Sequence, residues 1–187
     1  MKRVGWLVCV IAALALCASG QMLITFADMP SVSQPSPMPQ DYPTGTYLNW
    51  DNFYYVSPFM WSESGPGFFR GPDLRVAFVG GPMCTAQPSV CHGTVRVPTF
   101  PGMGPDMIFQ PLSISLSAGW FPNKLMVLAY NHSTLLGSVV WPLTLTAQRF
   151  DFPADWTEVT ELQFIPIPSK GKIGSMVAYA FLVNLYK

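Results

Sequence analysis

The residues that could do acid–base or metal chemistry are sparse. His92 and His132 are the only histidines, and each sits in or beside a stretch that reads as a loop. No H-x-H, H-E-x-x-H or Cys/His cluster is present, so a histidine-rich zinc or copper site has no sequence support. Ser133 follows His132, but a Ser–His centre is assembled in space and not by adjacency along the chain. "GSVV" around Ser138 also lacks the G-x-S-x-G elbow. Ten carboxylates remain. A glycan-active enzyme would need two of them across a cleft, and no spacing singles out a pair. Glu158 and Glu161, at a strand start, read as a solvated edge. No cofactor is implied.

The aromatic residues are better organised. "LNWDNFYYV" (Leu48–Val56) sets Trp50, Phe53, Tyr54 and Tyr55 around Asp51 and Asn52, and Phe59 and Trp61 follow closely. Flat rings with Asp and Asn beside them suit a sugar, whose C–H faces stack on rings while its hydroxyls take hydrogen bonds. Trp50, Asp51, Asn52, Phe53, Tyr55 and Trp61 are therefore the candidate ligand-binding residues. The competing reading is burial, because each large ring can remove roughly 150–250 Å² from water. That reading weighs more for this cluster, and also for Trp120 and Trp141. Strict alternation from an inward Trp50 would put Asn52 and Tyr54 on its face, and Asp51, Phe53 and Tyr55 on the other. Rings on both faces suit a strand that is covered on one side and lines a groove on the other.

The elements that must position these residues are short strands. "LITF" opens the fold, and five prolines between Pro30 and Pro43 then make an ordered or semi-rigid loop. "FFRG" and "LRVAFVG" read as short strands. "SISLSAGW" alternates with period two. "LMVLAY", the turn "NHST" and "LLGSVVWPLTL" read as a hairpin. "VTELQFIPI" follows, and Met176–Tyr186 is assigned to a strand on its Val, Tyr and Phe content. With no capped helical stripe, the fold class is all-β: a jelly-roll-like antiparallel β-sandwich.

The chain has 187 residues, enough for one domain once a targeting segment is removed. Residues 1–20 have the form of a signal peptide: Lys2 and Arg3, a short apolar run, then small residues at Ala18 and Gly20. Residues 21–187 form the single domain of an exported, extracellular protein. Removing Lys2 and Arg3 leaves eight basic against ten acidic side chains, a net of −2. No basic cluster exists to serve nucleic acid or an anionic membrane. The 11% charged and 50% hydrophobic composition is the reverse of a disordered tail. In an oxidising compartment Cys84 and Cys91 of "MCTAQPSVC" pair to close a small loop. Asn131-His132-Ser133 is a glycosylation sequon in a eukaryotic host.

Taken in order, "ITFADMP", the Pro-rich loop, "YLNWDNFYYV", "FQPLSISLSAGW", "VTELQFIP" and "AYAFLVNLY" resemble a family of small secreted fungal proteins. That family carries I-T-F-D-D-L, G-L-x-W-x-N-F-x-Y and F-A-x-D-N-L motifs. The resemblance implies a sandwich similar to carbohydrate-binding modules. It also implies a non-catalytic binding role, because similar proteins accompany extracellular laccase-type oxidases in pigment gene clusters. The expected partner is an extracellular protein complex or an aromatic or glycan ligand. In related sandwiches acidic residues at the two chain ends can share calcium. Here only Asp28 remains of the first acidic pair, and the closing pair is Val183-Asn184, so Asp28 is a weak calcium candidate.

Overall fold

The computed structural model describes residues 20–46, 48–60, 62, 64–69, 75–80, 91–97, 107–168 and 174–186. Among them, twelve strands form two antiparallel sheets, as the alternation and turn spacing predict. They are β1 Gln21–Thr25, β2 Ser36–Pro37, β3 Asn49–Asp51, β4 Tyr54–Val56, β5 Val76–Gly80 and β6 Gly93–Arg96. The second half adds β7 Ile108–Ser117, β8 Asn123–Asn131, β9 Thr134–Leu143, β10 Gln148–Asp151, β11 Glu161–Ile167 and β12 Ser175–Tyr186. The seven-stranded sheet runs β10-β7-β12-β5-β4-β2, with β1 also on β12; the five-stranded sheet runs β3-β6-β11-β8-β9. The final apolar run is a strand, and it pairs with β7, β5 and β1. No helix of the described residues is long and apolar enough to cross a membrane.

The motif Leu48–Val56 is not one alternating strand. Its first half, β3, pairs with β6 in the five-stranded sheet, and its second half, β4, pairs with β5 in the other sheet. The chain crosses between sheets at Asn52, which has φ 59°. Asn tolerates that left-handed conformation better than most side chains. The corner resets the alternation, so Trp50, Phe53 and Tyr55 all turn inward, at 2%, 1% and 9% exposure. The expectation that Trp50 and Phe53 take opposite faces is corrected by this break.

Trp50 is the centre of the core cluster. Its ring meets Phe26, Phe53 and Phe181 edge-on at centroid distances of 5.7, 5.2 and 6.2 Å. Its indole N–H donates to the Tyr42 carbonyl at 2.6 Å, which satisfies the one polar atom that burial would otherwise strand. The Tyr42 hydroxyl bonds in turn to the Thr25 carbonyl and the Asp28 carboxylate. The Pro-rich segment is thus held against the core, with Met38 and Tyr42 buried and the Met38 N–H donating to the Phe53 carbonyl at 2.9 Å.

Phe68 and Phe69 of "FFRG" lie not in a strand but in a 3-10 turn, Pro66–Phe69, and Arg70 and Gly71 lie outside the described residues. The turn caps a second cluster, Val56, Phe68, Val76, Phe78, Val177 and Tyr179, on the outer face of the seven-stranded sheet. This cap explains why every residue of β5 is buried. Gly67 makes the close approach possible, since a Cβ there would lie 1.7 Å from the Ala118 carbonyl oxygen. The Gly67 carbonyl accepts from the buried Ser117 hydroxyl at 3.1 Å and from the Tyr179 hydroxyl. The short strands β2, β6 and β10 have no counterpart in the sequence reading. Each has four residues or fewer, too few to show a period.

The corner gives a direct test. Asn52→Gly is expected to leave stability within about 0.5 kcal/mol, because glycine takes positive φ freely. Asn52→Val should cost about 1–3 kcal/mol through strain at the same angle. Chemical denaturation of both variants measures the difference, and equal stabilities would refute the corner.

Candidate functional site

The outer face of the five-stranded sheet carries exposed and half-buried side chains, with Thr94 buried among them, and these side chains fall into rows fixed by strand register. The first row runs Asn49, Arg96, Glu161, Tyr130 and Leu135 across β3, β6, β11, β8 and β9. The second runs Asp51, Thr94, Gln163, Leu128 and Ser138 across the same strands. Beyond them, Ile165, Met126 and Val140 make an apolar row. Strand alternation places these residues opposite the buried Trp50, Val95, Leu162, Phe164, Leu125 and Val127.

The β3–β6 side of this face is a hydrogen-bonding surface. Asp51 Oδ2 pairs with Arg96 Nη2 at 2.7 Å, with side chains 28% and 49% exposed. Gln40 Nε2 lies 3.4 Å from Asp51 Oδ1, and Gln163 Nε2 donates to Glu161 Oε1 at 2.7 Å. Tyr130, directly opposite Glu161, offers a half-buried ring where the polar rows meet the aliphatic ones. The surface therefore combines planar polar groups, one aromatic ring and an aliphatic shelf, all borne on paired strands.

The candidate residues named from sequence scatter relative to this face. Asp51 lies within it. Asn52 is exposed at the corner, where its conformation shapes the backbone. Trp50, Phe53 and Tyr55 are core residues with no ring face open to a ligand, because the sheet switch turns all three inward. Trp61 and Cys84 lie outside the described residues, while Cys91 packs partly buried against the core. Asn131 is half-buried at the end of β8, and its sequon forms the tight turn into β9, with His132 at φ 51°. The His132 N–H donates to Thr160 Oγ1 at 2.7 Å, which holds that turn.

Asp28 is exposed and accepts the Tyr42 hydroxyl. The β1–β12 register sets Asn184 opposite Gln21, not opposite the Asp28 end of the strand. No group of three or more His, Cys, Asp or Glu side chains gathers among the described residues. Sequence reasoning missed Asn49, Arg96, Tyr130 and Gln163, and it read Glu161 only as a solvated edge. The alternation in "ELQFIPI" was the available signal for Gln163, whereas Arg96 sits in a strand too short to announce itself.

The strand order and two-sheet core define an antiparallel β-sandwich of the jelly-roll kind. No family model matches the chain, nor does any curated protein. Among solved structures the chain is similar to one described as "CBM4 structure and function", at 14% identity over 89% of this chain and 86% of that one, TM-score 0.33. It is also similar to TmCBM61 in complex with beta-1,4-galactotriose, at 8% identity over 82% and 99%, TM-score 0.34. A third is the family 32 CBM from C. perfringens NanJ in complex with galactose, at 10% identity over 90% and 95%, TM-score 0.33.

The Asp51–Arg96 pair is solvent-screened, so it contributes little to folding. Asp51→Asn and Arg96→Gln are each expected to change stability by less than about 1 kcal/mol. Thermal melts would check this, and a larger loss in either would give the pair a structural role.

Proposed function

We propose that this protein is a secreted, non-catalytic binding module that takes a neutral glycan on the outer face of its five-stranded sheet. The observation that carries the reading is the register-fixed juxtaposition of Asn49, Asp51, Arg96, Glu161 and Gln163 with the Tyr130 ring. A pyranose presents hydroxyls at its edge and C–H groups on its faces. Planar carboxylate, guanidinium and amide groups bond the first, and a ring beside aliphatic side chains covers the second. Holding these groups on paired strands lowers the ordering cost of binding. A net charge of −2 after loss of Lys2 and Arg3, with two carboxylates on the face, disfavours acidic sugars.

Calorimetry against neutral polysaccharides and against aromatic polyketides tests this. The expected result is binding to a neutral glycan, weakened about tenfold or more by Tyr130→Ala or Arg96→Ala, which is roughly 1.4 kcal/mol. Failure to bind any glycan would overturn the reading. Binding of a polyketide alone would replace it with the accessory role in an extracellular oxidative complex.

Export carries a covalent signature. Digestion of the secreted protein without reductant is expected to release one Cys84–Cys91 linked peptide, and in a eukaryotic host a glycan on Asn131. Free thiols at both cysteines in the secreted protein would count against the oxidising compartment.

A further inference from the structure

β1 begins at the residue that signal-peptide removal would make the first of the mature chain. Ala18 and Gly20 are the small residues that direct the cut, and Gln21 follows them. A glutamine in first place carries a nucleophile and an electrophile within one residue: its freed α-amine and its own side-chain amide. They can meet only where the fold leaves both unengaged.

The structure leaves both free. The Leu185 N–H donates to the Gly20 carbonyl at 3.1 Å, and Gln21 stands opposite Asn184. A bond between the residues that flank a pair makes that pair non-hydrogen-bonded, so the Gln21 N–H and C=O point away from β12. On that side β1 has no neighbour among the described strands. The Gln21 side chain is exposed, and among the described residues no hydrogen bond engages it. Cutting after Gly20 removes one ladder bond, at an exposed end of the strand where water replaces it. The pairs from Met22–Val183 to Thr25–Ala180 remain.

We propose that Gln21 of the mature protein is a modification site and closes on itself to pyroglutamate. The unprotonated α-nitrogen attacks the side-chain Cδ. The N–Cδ bond forms, the Cδ–Nε2 bond breaks, and the proton lost by the α-nitrogen leaves with the departing ammonia. No oxidant, reductant or co-reactant is consumed. An α-amine is partly deprotonated at neutral to mildly alkaline pH, and both groups belong to one residue, so proximity favours closure. A ring on this nitrogen suits the first residue of an edge strand, where sheets also accept proline. The product loses its α-ammonium and offers no free amine to an aminopeptidase. This inference rests on the export reading and is independent of what the module binds.

Mass spectrometry of the secreted protein, held in neutral buffer and then digested, tests it. The expected first peptide starts at Gln21, is lighter than its sequence by one ammonia, and is blocked to Edman degradation. Pyroglutamyl aminopeptidase, acting on the unfolded chain, should remove the block and leave Met22 first. Gln21→Ala keeps both small residues before the cut and should give a chain with an open amine. A secreted chain that starts at Gln21 with a free amine would overturn the inference alone. So would a secreted chain that starts elsewhere, or a block that persists in Gln21→Ala. Protein retained in cells with residues 1–20 attached would overturn the export reading as well.

Discussion

The structure depends on satisfying one buried ring. Trp50 lies between the sheets with Phe26, Phe53 and Phe181 around it, and its single polar atom must find an acceptor there. The acceptor is the Tyr42 carbonyl. A long proline-bearing loop is therefore pinned at the ring, and through the Tyr42 hydroxyl it is tied to Thr25 and Asp28 at the end of β1. Truncating such a ring would cost about 3–5 kcal/mol by transfer and cavity terms. The hydrogen bond adds a cost, because a Tyr42 carbonyl without its partner would be left in the core.

From that fixed point the two sheets acquire different duties. β3 and β4 leave the Trp50 corner into opposite sheets, so one nine-residue motif stitches the sandwich together. The seven-stranded sheet has part of its outer face sealed by the 3-10 turn and the cluster beneath it. The five-stranded sheet keeps exposed and half-buried side chains on its outer face. Its polar and apolar rows alternate with core residues on the same strands, so packing on one side orients the side chains on the other. A surface arranged by the core in this way is ordered before a ligand arrives, which favours binding.

Much of the architecture was legible in sequence because period two is a local signal. "SISLSAGW" and "ELQFIPI" declare which residues face the core, and the Val, Tyr and Phe content of Met176–Tyr186 marks a strand, which the fold covers on both faces in its first half. The misreadings share one cause. "FFRG" has the composition of a strand, but Gly67 fits against the Ala118 backbone and Pro66–Phe69 folds over the sheet. "NWDNFYY" reads as continuous alternation, but a left-handed Asn52 resets the phase, and no pattern count registers a single φ angle.

The sequence by itself determined the class of fold, the inward set of most strands and the concentration of rings that builds the core. These follow from side-chain chemistry and spacing along one chain. Which surface could serve a ligand was decided only in three dimensions. Asn49, Arg96, Glu161 and Tyr130 are far apart in sequence, and strand register alone sets them in one row. The tertiary structure also withdrew Trp50, Phe53 and Tyr55 from solvent and left Asp51 at the surface. Burying rings lowers free energy, whereas a carboxylate keeps its charge cheaply only at the surface, where water and Arg96 stabilise it.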